Sequence, residues 1–278
     1  MLLDRAIFII SLYFIFGLFE IRFAAEKGHT LSQRLLNIFY GAILFSSGIL
    51  IVGFIYSIIP FKARHLTNNS IKFSILIALL YLFLSDFVFY WYHRAQHHFR
   101  YLWVIHELHH SDRELNVTTS MRTYWLERPL QTLLIFIPIY SVIGLDTIAI
   151  KMFFVVSTVW LLFTHANLKL RLGILTRVIG GPQIHRIHHS DLPEHQGKNL
   201  AQFFPIFDIL FGTYYHPAYN EFPTTGLTKK NNNSSFPDVL TKPFTTWFNF
   251  FGPASSLAEE DDAALYNTSS LSGDDAGR

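Results

Sequence analysis

Between Arg34 and Lys62 stand twenty-seven consecutive residues, Leu35 to Phe61, without a single charge. A helix of about 20 apolar residues crosses the hydrocarbon core of a bilayer. This run therefore sets the class of chain: a membrane protein whose spanning backbone must satisfy its own hydrogen bonds as helix. Two flanking runs repeat the pattern. Phe73 to Tyr92 holds one charge, Asp86, and the fourteen residues Ala6 to Phe19 cross only if their helix continues through Glu20 and Arg22 with snorkelling ends. Asp4 spoils the positive start of a signal peptide, so the first run reads as a retained helix. Hydrophobic residues make up 50% of the chain and charged residues 15%, against roughly a quarter charged in a soluble domain. That balance excludes a disordered chain and a nucleic-acid-binding arm. The absence of cysteine excludes thiolate metal sites, iron–sulfur clusters and cysteine nucleophiles.

The stretch from His93 to Arg128 is too polar for lipid. A second apolar block, 129–168, is interrupted by Gly144, Asp146 and Lys151. It predicts a helical hairpin, re-entrant or spanning, that returns His165 to the side where His93 left. The expected fold is all-α: an integral membrane helical bundle of three helices plus the hairpin, with a cytosolic histidine-rich helical cap. The expected division is 1–92 membrane helices, 93–225 histidine region including hairpin 129–168, and 226–251 peripheral segment. The last 27 positions, 252–278, hold six acids and one Arg and read as a disordered acidic tail, while 229–235 (KKNNNSS) reads as an exposed linker.

Eleven of the fourteen histidines fall between positions 93 and 195. His93 and His97 form H-x-x-x-H; His106, His109 and His110 form H-x-x-H-H, a spacing that His185, His188 and His189 repeat. Side chains three and four apart share a helix face, so each box offers converging imidazoles. Imidazole suits iron, copper, zinc or nickel, and eight or more exceed what one ion can use, which implies two. Isolated His29, His65 and His216 read as ordinary hydrogen-bonded residues, and His98 as spare. Asp86 lies two helical turns before His93 in an apolar helix, where an acid is costly and usually functional. The expectation is that it accepts an imidazole N–H and fixes a ligand's tautomer. Two other readings stay open. His106-Glu107-x-x-His110 matches the H-E-x-x-H pattern of zinc metalloproteases, and a histidine-rich membrane protein could bind metal without catalysis. Against the protease, the box at 185–189 has Arg186 where the base would stand.

The run S-D-F-V-F-Y-W-Y-H-R-A-Q-H from Ser85, H-E-L-H-H-S-D-R-E-L-N-V-T-T-S-M-R from His106, F-T-H-A-N-L from Phe163, P-Q-I-H-R-I-H-H from Pro182 and K-N-L-A-Q-F-F-P-I-F-D-I-L-F-G-T-Y from Lys198 resemble the fatty acid hydroxylase and sterol desaturase superfamily. Within it they look closest to the alkylglycerol monooxygenase branch and to bacterial sterol-desaturase-like proteins. The resemblance covers roughly 86–215. It implies a membrane di-iron oxidoreductase that uses dioxygen to hydroxylate or desaturate a lipid (sterol, fatty acyl or ether lipid). It makes His93, His97, His106, His109, His110, His185, His188 and His189 ligands of two iron ions, with His165 as the extra histidine that many members place at the hairpin exit. Some members carry a tenth histidine four residues later, where this chain has Lys169. Asn199, where relatives often read N-Y-G or N-Y-A, joins Asp86 as a residue supporting the ligands.

No Rossmann fingerprint and no haem or iron–sulfur motif is visible, so electrons must come from a separate partner. The resemblance implies cytochrome b5, ferredoxin or a tetrahydropterin. The apolar helices imply a lipid substrate arriving laterally from the membrane. Arg94, Arg100, Arg113, Arg122, Arg171, Arg177 and Arg186 surround the histidines, which places the site on the cytosolic face by the positive-inside rule and offers a dock for an acidic carrier.

Overall fold

The computed structural model describes residues 2–59, 64–67, 70–227 and 236–251. The acidic tail 252–278 and the linker 229–235 expected from sequence lie outside these residues. The described residues contain helices and three isolated bridges but no strand. They fall into two units, 1–233 and 234–278.

In the first unit, α1 is Leu2–Phe23, α2 is Leu31–Ile58, α3 is Ile71–His98, α4 is Arg100–His110, α5 is 127–143 and α6 is Thr147–His165. Short helices follow at α7, Pro182–His188, and α8, Ile206–Leu210. Four helices, α1, α2, α3 and α6, are long and apolar enough to cross a membrane. Ile10, Phe14 and Ile21 of α1 are exposed, as befits residues facing acyl chains rather than water. The chain is thus an all-α, multi-pass membrane protein.

The hairpin predicted at 129–168 forms, but its first arm is not a regular helix. Residues Thr132–Phe136 make a π-helical turn, and Pro138 follows. Proline lacks the N–H that residue 134 would accept and crowds that carbonyl; the wider turn absorbs the mismatch. At the tip, Gly144 has φ 98°, and an added Cβ would stand 2.7 Å from the Arg64 carbonyl oxygen. Only glycine fits that close approach. Leu145 N donates to Arg64 O, Leu66 N donates to Leu145 O, and Tyr81 Oη donates to Gly144 O, so the tip is tied to the α2–α3 loop. Asp146 then caps α6 by accepting from Ala149 N.

The opposite ends of the spans gather at the cap. Ala24 bridges to Leu168, Arg34 of α2 pairs with Glu20 of α1 at 2.7 Å, and Glu20 also accepts from Val117 N and Asn167 N. At 28 residues, α3 is about 42 Å long against a core of about 30 Å. It runs unbroken through position 92, so His93 and His97 ride on the last turns of a spanning helix. The core between α3, α5 and α6 is apolar and aromatic, with Tyr81, Ile135 and Phe153 among its buried members.

The second unit contributes α9, Phe236–Phe251, a helix with Pro243 inside it and with Phe244 and Phe248 exposed.

Candidate metal centre

Three helix ends and the hairpin exit converge to build the site. His93 and His97 come from α3; His106, His109 and His110 from α4; His165 from the end of α6; His185 and His188 from α7, with His189 just beyond it. Phe99 is extended (φ −102°, ψ 120°) and breaks the chain between α3 and α4, which lets α4 fold back so that its histidines meet those of α3. All nine sequence-predicted histidines are brought together. They divide into two sets with mutually close nitrogens: His93, His97, His106, His110 and His188, and His109, His165, His185 and His189. His98 is exposed and outside both sets, and Lys169 is exposed.

The tautomers are fixed from behind. Nδ1–H of His93 donates to Leu200 O at 2.8 Å, of His106 to Glu127 Oε1 at 2.8 Å, and of His109 to Arg122 O at 3.3 Å. Those of His165 and His188 donate to Leu161 O and Lys198 O, at 2.8 and 2.9 Å. A neutral imidazole whose Nδ1 carries the proton has a bare lone pair on Nε2. Nevertheless His93 Nε2 lies 2.9 Å from His106 Nε2, and His109 Nε2 lies 3.0 Å from His165 Nε2. Two lone pairs repel at that range unless a cation lies between them. Further edges run between Nε2 atoms of His106 and His110 (3.1 Å), His165 and His185 (3.0 Å), and His185 and His189 (3.1 Å). At a metal–nitrogen distance of about 2.1 Å, nitrogens at a right angle lie about 3.0 Å apart and at the tetrahedral angle about 3.4 Å. The spacing therefore suits five- or six-coordinate metal better than tetrahedral zinc. His97 Nε2 and His188 Nε2 are buried without a hydrogen-bond partner, as ligand atoms would be. The residues present fit a pair of metal ions.

Burial keeps the imidazoles neutral. It holds His109, His110, His185 and His189 well below the ordinary imidazole value, helped by neighbouring imidazoles, and pushes His188 down to about 3. Neutral imidazole is the ligating form.

Asp86 does not play the part expected of it. Its carboxylate accepts the backbone N–H groups of Gln202, Phe203 and Phe204, at 2.7 to 3.1 Å, rather than an imidazole. Asp208 does the same for Leu200 and Ala201. Asn199, with φ 54°, turns the chain in the left-handed region that asparagine tolerates. Its Oδ1 accepts from Tyr215 N, and the carbonyls on either side of it, Lys198 and Leu200, are those that receive His188 and His93. Asp86 and Asn199 thus bear on His93 and His188 only through the backbone of one loop.

Sequence reasoning missed Glu127 and Asp208. Glu127 is buried, and besides His106 it accepts from Gln96 Nε2 at 3.1 Å. Asp208 carried the same signal as Asp86, an acid in an apolar run. Two arginines also proved to be internal. Arg122 donates to Leu108 O, Ser111 Oγ and Asn37 Oδ1, and Arg186 to Glu26, Asn167 and Pro223 O. Both are buried, so neither is available to dock a carrier; Arg122 braces the Leu108 carbonyl beside His109, and Arg186 ties α7 to Glu26, Asn167 and Pro223.

Residues 78–213 match the family model for fatty acid hydroxylase. Ornithine lipid hydroxylase OlsE of Rhizobium tropici is 30% identical over 167 residues, 60% of this chain and 50% of that protein. Alkylglycerol monooxygenase of Homo sapiens is 32% identical over 148 residues, 53% of this chain and 32% of that protein. Very-long-chain aldehyde decarbonylase GL1-6 of Oryza sativa subsp. indica is 25% identical over 205 residues, 67% of this chain and 31% of that protein. The chain spans half or less of the length of these relatives. No solved structure matches it.

Proposed function

We propose, for a chain carrying a fatty acid hydroxylase domain at residues 78–213, that it is a membrane oxidoreductase acting on a lipid with dioxygen at a pair of iron ions. The observation that carries this reading is the approach of lone-pair nitrogens, His93 to His106 and His109 to His165, inside two neighbouring histidine sets. His93, His97, His106, His110 and His188 would hold one ion, and His109, His165, His185 and His189 the other. Bound there, the pair would supply dioxygen activation for attack on an unactivated C–H bond. The chain's own part is to hold each imidazole neutral, aim its Nε2 inward and exclude water from the surrounding space.

The lipid substrate, hydroxylation or desaturation as outcome, and a separate electron donor such as cytochrome b5, ferredoxin or a tetrahydropterin complete the proposal. The relatives, a lipid hydroxylase and a monooxygenase among them, support the reaction class. A cytosolic position for the cap is supported by the exposed Arg100, Arg113, Arg171 and Arg177. The metalloprotease reading loses support because His106 and His110 sit among three further imidazoles, where a catalytic zinc needs three protein ligands and an open position.

Metal analysis tests the proposal. The purified chain should hold about two iron ions, and His189→Ala, which leaves the five-histidine set intact, should hold about one. A single zinc, unaffected by His189→Ala, would overturn it.

A further inference from the structure

Backbone at membrane depth survives only where every polar group is satisfied without water. The stretch 199–213 meets that condition to an unusual degree. Six consecutive amides, 199–204, are taken internally: Asn199 N by Thr213 O, Leu200 and Ala201 N by Asp208, and Gln202, Phe203 and Phe204 N by Asp86. Position 205 is proline and has no N–H to place. The carbonyls follow suit: Leu200 O takes His93, Gln202 O takes Trp160 Nε1 at 2.9 Å, Phe203 O takes Gly180 N, and Phe211 O takes Arg94.

The partners also give a depth. Asp86 lies six residues inside the apolar run that ends at Tyr92, about 9 Å along the helix, and Trp160 lies five residues before His165, about 7.5 Å. The rings of Phe204 and Phe207 pack on Phe83, at 6.0 and 5.3 Å, and Phe207 packs on Phe87 at 5.4 Å. Phe83 and Phe87 are themselves exposed on the spanning helix α3, as residues facing acyl chains are. Continuous with that lipid-facing surface, Ile206, Ile209 and Leu210 are exposed at 40%, 41% and 66%. Within 199–213 the one charged side chain is Asp208, which is buried and bonded inward to Leu200, Ala201 and Thr213, while Arg94 of α3 donates to Phe211 O at the element's end.

We propose that residues 199–213 are a re-entrant element seated in the bilayer, with Ile206, Ile209 and Leu210 in contact with lipid acyl chains. The irregular part, 199–204, is covered by α3 and α6, and the exposed part is the helical turn α8, which satisfies its own backbone. Two carboxylates in an apolar setting are thereby explained: Asp86 and Asp208 replace the water that these amides would otherwise need. Because Leu200 O within the element holds His93, and Lys198 O just before it holds His188, the element joins the five-histidine set to the lipid phase.

The chain has no cysteine, so single cysteines report without background. Ile206→Cys and Leu210→Cys, exposed positions that tolerate replacement, would carry a nitroxide in full-length protein reconstituted into phosphatidylcholine vesicles, with Gln196→Cys as the exposed control on the preceding loop. Oxygen, which concentrates in the bilayer, should relax the labels at 206 and 210 several-fold more than a water-soluble nickel chelate does, with the ratio inverted at 196. Relaxation by the chelate at 210 equal to that at 196 would overturn the proposal in favour of a water-facing surface. Exclusion of both relaxers with spin–spin broadening would overturn it in favour of a second copy covering the face. The readout depends on neither metal content nor turnover, so it fails or succeeds apart from the oxygenase reading.

Discussion

Glu127 Oε1 lies 2.8 Å from His106 Nδ1, which makes a buried carboxylate the acceptor behind one imidazole of the five-histidine set. Such partners orient the ring and raise its basicity, and their loss typically costs about 10–100-fold in metal affinity or activity. Glu127→Ala should weaken retention of one ion by that factor against a chelator while leaving the other in place. Glu127→Gln, which can still accept the N–H, should fall between parent and Ala. Equal retention by all three proteins would remove Glu127 from the centre.

Glu107 separates the oxygenase from the protease. As a general base in H-E-x-x-H, its replacement by Gln would abolish activity. Here Glu107→Gln should leave metal content unchanged and oxygen-dependent turnover reduced at most a few-fold; peptide hydrolysis lost with Glu107→Gln would point the other way.

Acid should unfold the metal-free protein through its histidines. In the folded chain burial lowers His109, His110, His185 and His189, and brings His188 to about 3, while unfolded imidazoles titrate near 6.5. Between those values the unfolded chain binds more protons, so stability falls as pH falls through about 6.5 and is level above about 7. Thermal unfolding in detergent from pH 8 to pH 4 checks the sign: a midpoint that holds constant down to pH 4 contradicts it.

Topology gives a prediction at three positions. His98 and Lys169 are exposed at the cap ends of α3 and α6, and Thr67 is exposed in the loop bonded to the hairpin tip. Cysteines at 98 and 169 should react with an impermeant maleimide from one side of a sealed vesicle, and a cysteine at 67 from the other. Labelling of 98 and 169 from opposite sides would be incompatible with a shared centre.

Local signals carried far in this chain. The uncharged apolar runs, the spacing of the three histidine boxes and the polar break at Gly144–Asp146 are short-range features, and they suffice to predict spans, hairpin and the meeting of His165 with the boxes. What stayed hidden depends on distant partners. Asp86 is visibly an acid in lipid, but its true partners lie 116 to 118 positions away and are backbone amides, which every residue carries and no motif marks. The carbonyls of Lys198, Leu200 and Arg122 are illegible for the same reason. Arg122 and Arg186 read as surface bases because sequence shows charge and not burial. The meeting of His106 and His110 with His93 and His97 needs the fold-back at Phe99, which is a matter of two dihedral angles.

All nine inward-facing rings offer nitrogen donors, and among the described residues Glu127 is the one carboxylate hydrogen-bonded to any of them. Two divalent ions in that cage would stand at four positive charges with one negative charge beside them, in surroundings of low polarity where charge is poorly screened. Taking a further electron away would concentrate the charge still more, so net charge raises the reduction potential of such a centre. If the cage holds iron as proposed, its donor set would favour the reduced form, and a donor of modest reducing strength would suffice to supply it.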